Sequence, residues 1–532
     1  MTTSNFGRLC QFACMCAWFA MPAVAAPEIH AILNAASYTG SSLPNSGIAR
    51  GSMFVVFGAG LGPGDLQQSA GFPLQKSLGG TSIRVTVGTT AVDALMVYAL
   101  ATQVAAILPS STPEGVGLMQ VTYNGHTSEA GAFRVVRSGP GILTQNQAGT
   151  GVALAQNVNS ATDQPRNTLS RPAQAGQTVT LWGTGLGPIS DDESAAPVPR
   201  DLNINLQVFL GGKPAQVRYK GRSGCCAGID QITVDVPAGV SGCYVPVAMQ
   251  VDAAPSNFAT ISVAGPDGGD CTDLTGIPGP MLEKLLGGGM ARVGSIVLSV
   301  DAGGIVSENG IGEFFQADLN WVTAQLTPGL PSPGSCMVNP VRLSKPAGTY
   351  VEPVGLDAGQ LLTVNGPKGS RQVLQRSTGY YSETFAQGTV TQFLQPGTYT
   401  VDNGAGGVDV GPFRATVAFP AQLSATVQQS ATGTAVNWQG GDPTGYVVIQ
   451  GSAQSASGAT TNFTCVERTS AGQFALPPVV MSSLPGAPSE VTAVVAAGTA
   501  AQNRFKAAGL DLAFFSFCSP TSPLCIGPYF GY

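Results

Sequence analysis

Apolar and polar positions alternate along this chain in short runs, and many of the runs end on glycine. Met53-Phe54-Val55-Val56-Phe57 passes directly into Gly58-Ala59-Gly60-Leu61-Gly62-Pro63, and Thr178-Val179-Thr180-Leu181-Trp182 into Gly183-Thr184-Gly185-Leu186-Gly187-Pro188. A β-branched or aromatic run that stops at a glycine cluster reads as a strand closed by a tight turn, with Gly58, Gly60, Gly62, Gly183, Gly185 and Gly187 as structural turn residues. The two blocks stand 125 residues apart, and further matches follow in the same order, which predicts two copies of one domain. Gly51 matches Gly176, Val85-Thr86-Val87-Gly88 matches Val208-Phe209-Leu210-Gly211, and the run from Gln103 to Pro109 matches that from Gln231 to Pro237. The second copy is longer by an insertion, Lys220 to Gly228, that carries Cys225 and Cys226. Each copy is a series of short strands with turn signals between them, which predicts antiparallel β-sandwiches over 26–138 and 139–265.

The repeat stops at Gly265. Residues 266–280, opening with Pro266-Asp267-Gly268-Gly269-Asp270, read as a linker, and Met281 to Leu286 as a short amphipathic piece closed by Gly287-Gly288-Gly289. Ser295 to Val300 resumes β character. Short strands then alternate with the turns Asn365-Gly366-Pro367, Gln395-Pro396-Gly397 and Asp402-Asn403-Gly404. From about Ala421, Ala435-Val436-Asn437-Trp438, Tyr446-Val447-Val448-Ile449 and Asn462-Phe463-Thr464-Cys465 are spaced as in a sandwich with one core tryptophan. The expectation is an all-β chain with two further β domains, 281–420 and 421–532.

Strand, Gly-x-Gly-Leu-Gly-Pro, short strand and glycine, followed by Gln-Ile-x-Val-x-Val-Pro and Gly-x-x-x-Val-x-Val strands, resembles the IPT/TIG class of immunoglobulin-like domains. The pattern is most similar to the variant found in large secreted proteins of soil Acidobacteria such as Solibacter, and it covers roughly residues 28 to 265, Cys225-Cys226-Ala227-Gly228 and Gly242-Cys243 included. The resemblance implies tandem immunoglobulin-like folds. It implies no single activity, because such domains serve as spacers and binding modules in receptors, adhesins and polysaccharide enzymes.

Composition narrows the class. With 70 Gly and 38 Pro but only 10% charged residues, the chain cannot supply the solvated faces of long helices, and 43% hydrophobic residues is too many for general disorder. The net charge of -6 carries no basic stripe, which argues against a nucleic-acid partner. Arg8, the apolar run Leu9 to Ala20 and Met21-Pro22-Ala23-Val24-Ala25 form a secretory signal over 1–25, with cleavage expected after Ala25 and no membrane span in the mature chain. Losing Cys10, Cys14 and Cys16 leaves eight of the 11 cysteines, an even count that favours disulfides in an oxidising compartment. Cys225, Cys226, Cys243 and Cys271 are expected to pair among themselves, separate partners being favoured over a strained vicinal bond. Cys518 is expected to pair with Cys525 across a turn-prone loop, and Cys336 with Cys465 by elimination.

The chain offers little chemistry. His30 and His126 are its two histidines, so Ser-His-Asp, Cys-His and multi-histidine metal sites find few residues to build on, and neither glycine cluster has the spacing of a phosphate-binding loop. No catalytic, cofactor or metal residue is predicted. Ca²⁺ is the one ion that Asp191-Asp192-Glu193, or Asp267 with Asp270, would suit, although neither follows a known loop pattern. The expected role is an exported, non-enzymatic adhesion, scaffolding or binding protein whose partner is an extracellular polymer or cell-envelope component, a polysaccharide among them. The alternative is a polysaccharide-active protein with the repeats as accessory modules. A sugar platform would draw on Tyr380 and Tyr381, Trp438 with Tyr446, or Tyr529, Phe530 and Tyr532.

Overall fold

The computed structural model describes residues 26–518 apart from 303–305, 319–329, 341–351, 389–391, 420, 422, 431–432, 456–457, 487–491 and 495–500. The expected signal segment, Cys525 and the terminal aromatics lie outside the described residues, as does the side chain of Cys518.

The first sandwich has two sheets. One orders Glu28–Asn34, Met53–Ala59, Gln103–Ile107, Leu95–Leu100 and Gln67–Gln68; the other is built on Ile48–Ala49, Gly131–Val136, Gly115–Tyr123 and Thr81–Val87. The sequence alternation explains the second sheet: Ile83, Val85 and Val87 point into the core while Ser82, Arg84 and Thr86 face outward. Met53–Ala59 reads as a continuous apolar run, and Phe54, Val55 and Val56 are all buried. The second sandwich repeats the scheme, with Thr178–Thr184 between Gly141–Ile142 and Asp230–Asp235, and Leu206–Leu210 joining Lys213–Arg222 to Gly242–Val251.

The glycine blocks end the matching strands, and each glycine has its own reason. Gly60 and Gly185 have φ of 63° and 101°, backbone that side chains other than glycine rarely adopt. At Gly58 and Gly183 the limit is space, since a Cβ would run into the carbonyl oxygens of Glu28 and Gly141 on the paired strands.

Of residues 266–280, expected as a linker, 266–270 are exposed, but the later part packs. Cys271 and Ile277 are buried, and the helix Gly279–Leu286 sets Leu282 and Leu285 against Val293, Phe315, Leu512 and Phe514. Beyond it lies a ten-stranded sheet ordered Arg414–Phe419, Gly397–Asp402, Leu361–Gly366, Gly369–Ser377, Tyr380–Gly388, Val306–Asp318, Met290–Ala302, Leu512–Cys518 and Ala501–Arg504, with Val354–Gly355 attached. Its two ends meet: the Asn503 amide donates to the Thr416 carbonyl at 2.7 Å, and Phe419 stacks on Phe517 at 3.7 Å. A fourth unit faces Ser335–Pro340, Thr460–Arg468, Tyr446–Gln454 and Thr492–Val494 with Ser424–Ser430, Gly433–Gln439 and Gln473–Ala475.

Strand pairing therefore does not follow the expected division into 281–420 and 421–532. Leu512–Cys518, at the end of the chain, runs parallel to Met290–Ala302 in the third unit, and Ser335–Pro340 leaves the third stretch to pair with Thr460–Arg468 in the fourth. Local alternation marks a strand but does not choose its partner, and here the partners are far apart in sequence.

Candidate functional site

The open edge of the first sandwich forms a groove. Glu28–Asn34 is the end strand of one sheet and Ile48–Ala49, beside Gly131–Val136, the end of the other; a cavity of about 580 Å³ lies between them. Twisted sheets diverge at their edges, and an irregularity between Ile29 and Ala31 bends the rim further. Ile29, Ile32 and Phe133 supply apolar wall, and Thr39 and Ser41 add hydroxyl groups to the lining. Val116, 69% exposed, pairs in register with Arg134 at the mouth. The Arg134 guanidinium makes no ion pair among the described residues, and His30 lies 3.3 Å from the exposed Glu28 carboxylate. Among the described residues, His30 and Arg134 are the two charged or titratable side chains lining the groove, and none of the described lining side chains is a carboxylate of the kind a glycosidase pairs. Its mixed wall suits an extended ligand with both CH faces and hydroxyl groups. Sequence reasoning missed this site because the edge strand and its opposite wall are about 100 residues apart and meet only when the sandwich closes.

A second cavity, about 130 Å³, lies between the second sandwich and the fourth unit and is lined in part by Tyr244, Asp273, Tyr446 and Arg468. Burial, and then the Asp273 carboxylate, push the Tyr244 hydroxyl up to about 12. Burial also holds Asp273 above the ordinary carboxylate range, against the pull of its hydrogen bonds from Ile277 N at 2.8 Å and Thr275 N at 3.0 Å. Those bonds make Asp273 a turn residue.

The two sandwiches meet at a polar joint. Arg222 and Asp230 form a buried ion pair; Arg222 Nη2 donates to the Gly51 carbonyl of the first sandwich at 2.8 Å and to Gly187 O at 2.7 Å, while Asp230 accepts from Leu186 N at 2.8 Å. Nearby, Glu193 accepts Ser110 N at 2.9 Å and the Ser110 hydroxyl, which in turn accepts Ile189 N at 2.9 Å. Burial raises the Glu193 carboxyl above its usual range. The insertion explains the joint: it lengthens the hairpin so that Ala227 packs against Leu74, Leu95 and Ile107 of the first sandwich.

The acidic residues considered for Ca²⁺ have separate partners. Asp191 pairs with Arg200 at 2.7 Å, Asp192 is held below the ordinary carboxylate range by Ser194, and Glu193 serves the joint. Asp267 and Asp270 are exposed at the start of the connection, and no group of three or more candidate metal ligands occurs among the described residues. Of the aromatics, Tyr381 and Trp438 belong to cores: Tyr381 donates to Gly359 O at 2.6 Å and the Trp438 indole to Thr469 O at 2.8 Å. Tyr380 is half-buried, and Tyr446 is half-buried beneath the Arg468 guanidinium. His126 is exposed in the Tyr123–His126 turn.

Cys243 is bonded to Cys271 and Cys336 to Cys465. Cys225 and Cys226, expected to find partners among Cys243 and Cys271, carry free thiols instead. The insertion turns them outward, while Cys243 and Cys271 lie together in the buried packing around the helix Gly279–Leu286.

No family model matches the chain, and no curated protein does. Among solved structures, a tetra-tandem repeat from the extending region of a large adhesion protein is 14% identical, covering 92% of this chain and 98% of its own, at a TM-score of 0.13. SGBP-B of the Bacteroides ovatus mixed-linkage glucan utilization locus, solved with a mixed-linkage heptasaccharide, is 10% identical over 81% of this chain and 86% of its own, at a TM-score of 0.12. The FN1–FN3 domains of chicken CNTN1 are 10% identical over 74% of this chain and 98% of their own, also at a TM-score of 0.12. At these identities and scores the likenesses carry no argument about what this chain binds. The fold rests on its own sheets: the chain is all-β, built of tandem sandwich-type units.

Proposed function

We propose that this chain is an exported, non-catalytic binding protein of tandem IPT/TIG-type modules, and that the edge groove of its first sandwich takes an extended extracellular polysaccharide. The observation that carries the reading is the groove itself: about 580 Å³ between two sheet ends, with apolar wall, hydroxyl side chains and an arginine at the mouth that has no ion-pair partner among the described residues. Sugar rings offer apolar CH faces and hydroxyl edges at once, which matches such a wall. A shallow site of this kind binds weakly and gains useful strength when several copies act on one polymer.

The test is affinity electrophoresis of the mature protein against neutral and acidic polysaccharides. Retardation by at least one polymer is expected, with Arg134→Ala weakening it about tenfold, the equivalent of one charge-assisted hydrogen bond, at an unchanged melting temperature. Binding by no polymer, or binding indifferent to Arg134 and Ile29 variants, overturns the groove. Release of reducing sugar that one carboxylate substitution abolishes would make the protein an enzyme.

A further inference from the structure

Cys225 and Cys226 are adjacent and exposed, in a loop whose inner side is fixed. The Ser223 hydroxyl accepts Cys226 N at 3.3 Å, lies 3.2 Å from Cys226 O, and stands 3.5 Å from Cys225 Sγ. Two residues on, Ala227 is seated on the first sandwich, and Gly228 O accepts the Thr184 hydroxyl at 2.6 Å. A Cβ on Gly228 would come within 2.9 Å of Ile107. Backbone on the inner side of the loop is therefore part of the joint, while both cysteine residues are exposed. The remaining cysteines whose side chains are described, Cys243 with Cys271 and Cys336 with Cys465, are already joined. Among the described residues each free thiol has one cysteine within reach, its neighbour.

We propose that Cys225 and Cys226 form a reversible two-electron thiol site, which closes to a vicinal disulfide on reaction with a small-molecule disulfide and reopens with excess thiol. Partial burial first, and then the Cys225 thiol beside it, push the Cys226 thiol up to about 12, which disfavours its thiolate, and in the proposed step Cys225 attacks first. The Cys225 thiolate bonds to one sulfur of the small disulfide, whose S–S bond breaks, and the expelled thiolate takes up the proton that Cys225 lost. Cys226 then gives up its proton and bonds to the Cys225 sulfur, and the second small thiolate leaves and is protonated. The protein has lost two protons and two electrons, and the small disulfide has taken them up to become two thiols. Adjacent Cα atoms stand about 3.8 Å apart across a trans peptide, short of the usual disulfide span of roughly 4.4–6.8 Å. The ring is therefore strained and easily reduced, which places it with the labile, exposed class rather than with the two structural bonds. Ring closure reshapes backbone next to Ala227 and Gly228, so the joint between the sandwiches feels the redox state.

The experiment uses the full mature chain with oxidised glutathione as probe, followed by alkylation and mass spectrometry of a non-reduced digest. The peptide spanning both cysteines is expected to become two hydrogens lighter, with no glutathione retained, and to recover its thiols under excess glutathione. Cys226→Ser should trap a stable glutathione adduct on Cys225, and Cys225→Ser should react about tenfold more slowly or less. Phenylarsine oxide should bind one equivalent to the reduced protein and none to either variant. Both side chains are exposed, so the variants should fold, and intact Cys243–Cys271 and Cys336–Cys465 bonds would confirm it. A glutathione adduct that persists on the unsubstituted protein, two thiols untouched by oxidised glutathione, equal reactivity of the two variants, or a bond from either sulfur to another cysteine would each overturn the proposal.

Discussion

Gly60 and Gly185 hold matching places in the two repeats, yet their surroundings differ. Both have positive φ, but a Cβ on Gly60 would meet nothing closer than Pro27 at 3.9 Å, whereas one on Gly185 would strike the Gly139 carbonyl oxygen. Gly60→Val should therefore cost only the backbone strain, about 1–3 kcal/mol, and Gly185→Val clearly more, as read by denaturant unfolding of the first two sandwiches. Glu193 gives a residue-scale prediction of a different kind. Its carboxyl is raised in the folded protein, so between the ordinary glutamate value and the raised one the folded state holds a proton that the unfolded chain has released. The stability it contributes is full below the ordinary value and is lost as pH rises through the raised one. Glu193→Gln keeps the side chain neutral throughout, so the fall in melting temperature as pH rises from the ordinary glutamate range through the raised value should flatten in the variant. An unchanged slope would show that another group sets it.

The joint is decided at the scale of the hairpin formed by Lys213–Arg222 and Asp230–Asp235. Its extension carries Arg222 to the carbonyls of Gly51 and Gly187 and buries it against Asp230, which is wholly inaccessible. Arg222→Met leaves that carboxylate buried without its partner, and the expected loss is about 3–5 kcal/mol in the second sandwich. Because the same guanidinium grips the first sandwich, small-angle scattering of the variant should also report a wider spread of angles between the two. A variant that loses stability while its scattering stays unchanged would locate the effect inside one sandwich.

Across the whole molecule, the C-terminal half folds by exchange of distant strands. Phe515 and Phe517 on the last described strand are buried in the core of the third unit, and the Cys336–Cys465 bond ties a strand from the middle of the third stretch to the fourth unit. A chain cut after residue 420 should therefore lose the third unit as well as the fourth, since burial of each phenylalanine is worth about 1.5–3 kcal/mol and the edge beside Met290–Ala302 would be left open. Limited proteolysis should digest such a chain from about residue 290 onward while 26–265 survives. Resistance of 290–420 would mean that the last strand is dispensable.

Much of this was legible in the chain. The order of apolar and polar positions determined the strands, the glycine blocks determined where strands end, and their recurrence determined that one scheme is used twice, because turns, alternation and steric limits at glycine act over a few residues. The pairing of Cys336 with Cys465 could be reached by elimination, but the assignment of Cys243 to Cys271, which leaves Cys225 and Cys226 free, could not, since several partners were equally near in sequence. Tertiary structure alone decided the course of the last strand, the packing of Cys271, Ile277 and the helix that follows, the buried charge at the joint and the groove at the sandwich edge. Each depends on surfaces that come from separate parts of the chain, and their meeting is set by how the sheets twist and stack rather than by any local pattern.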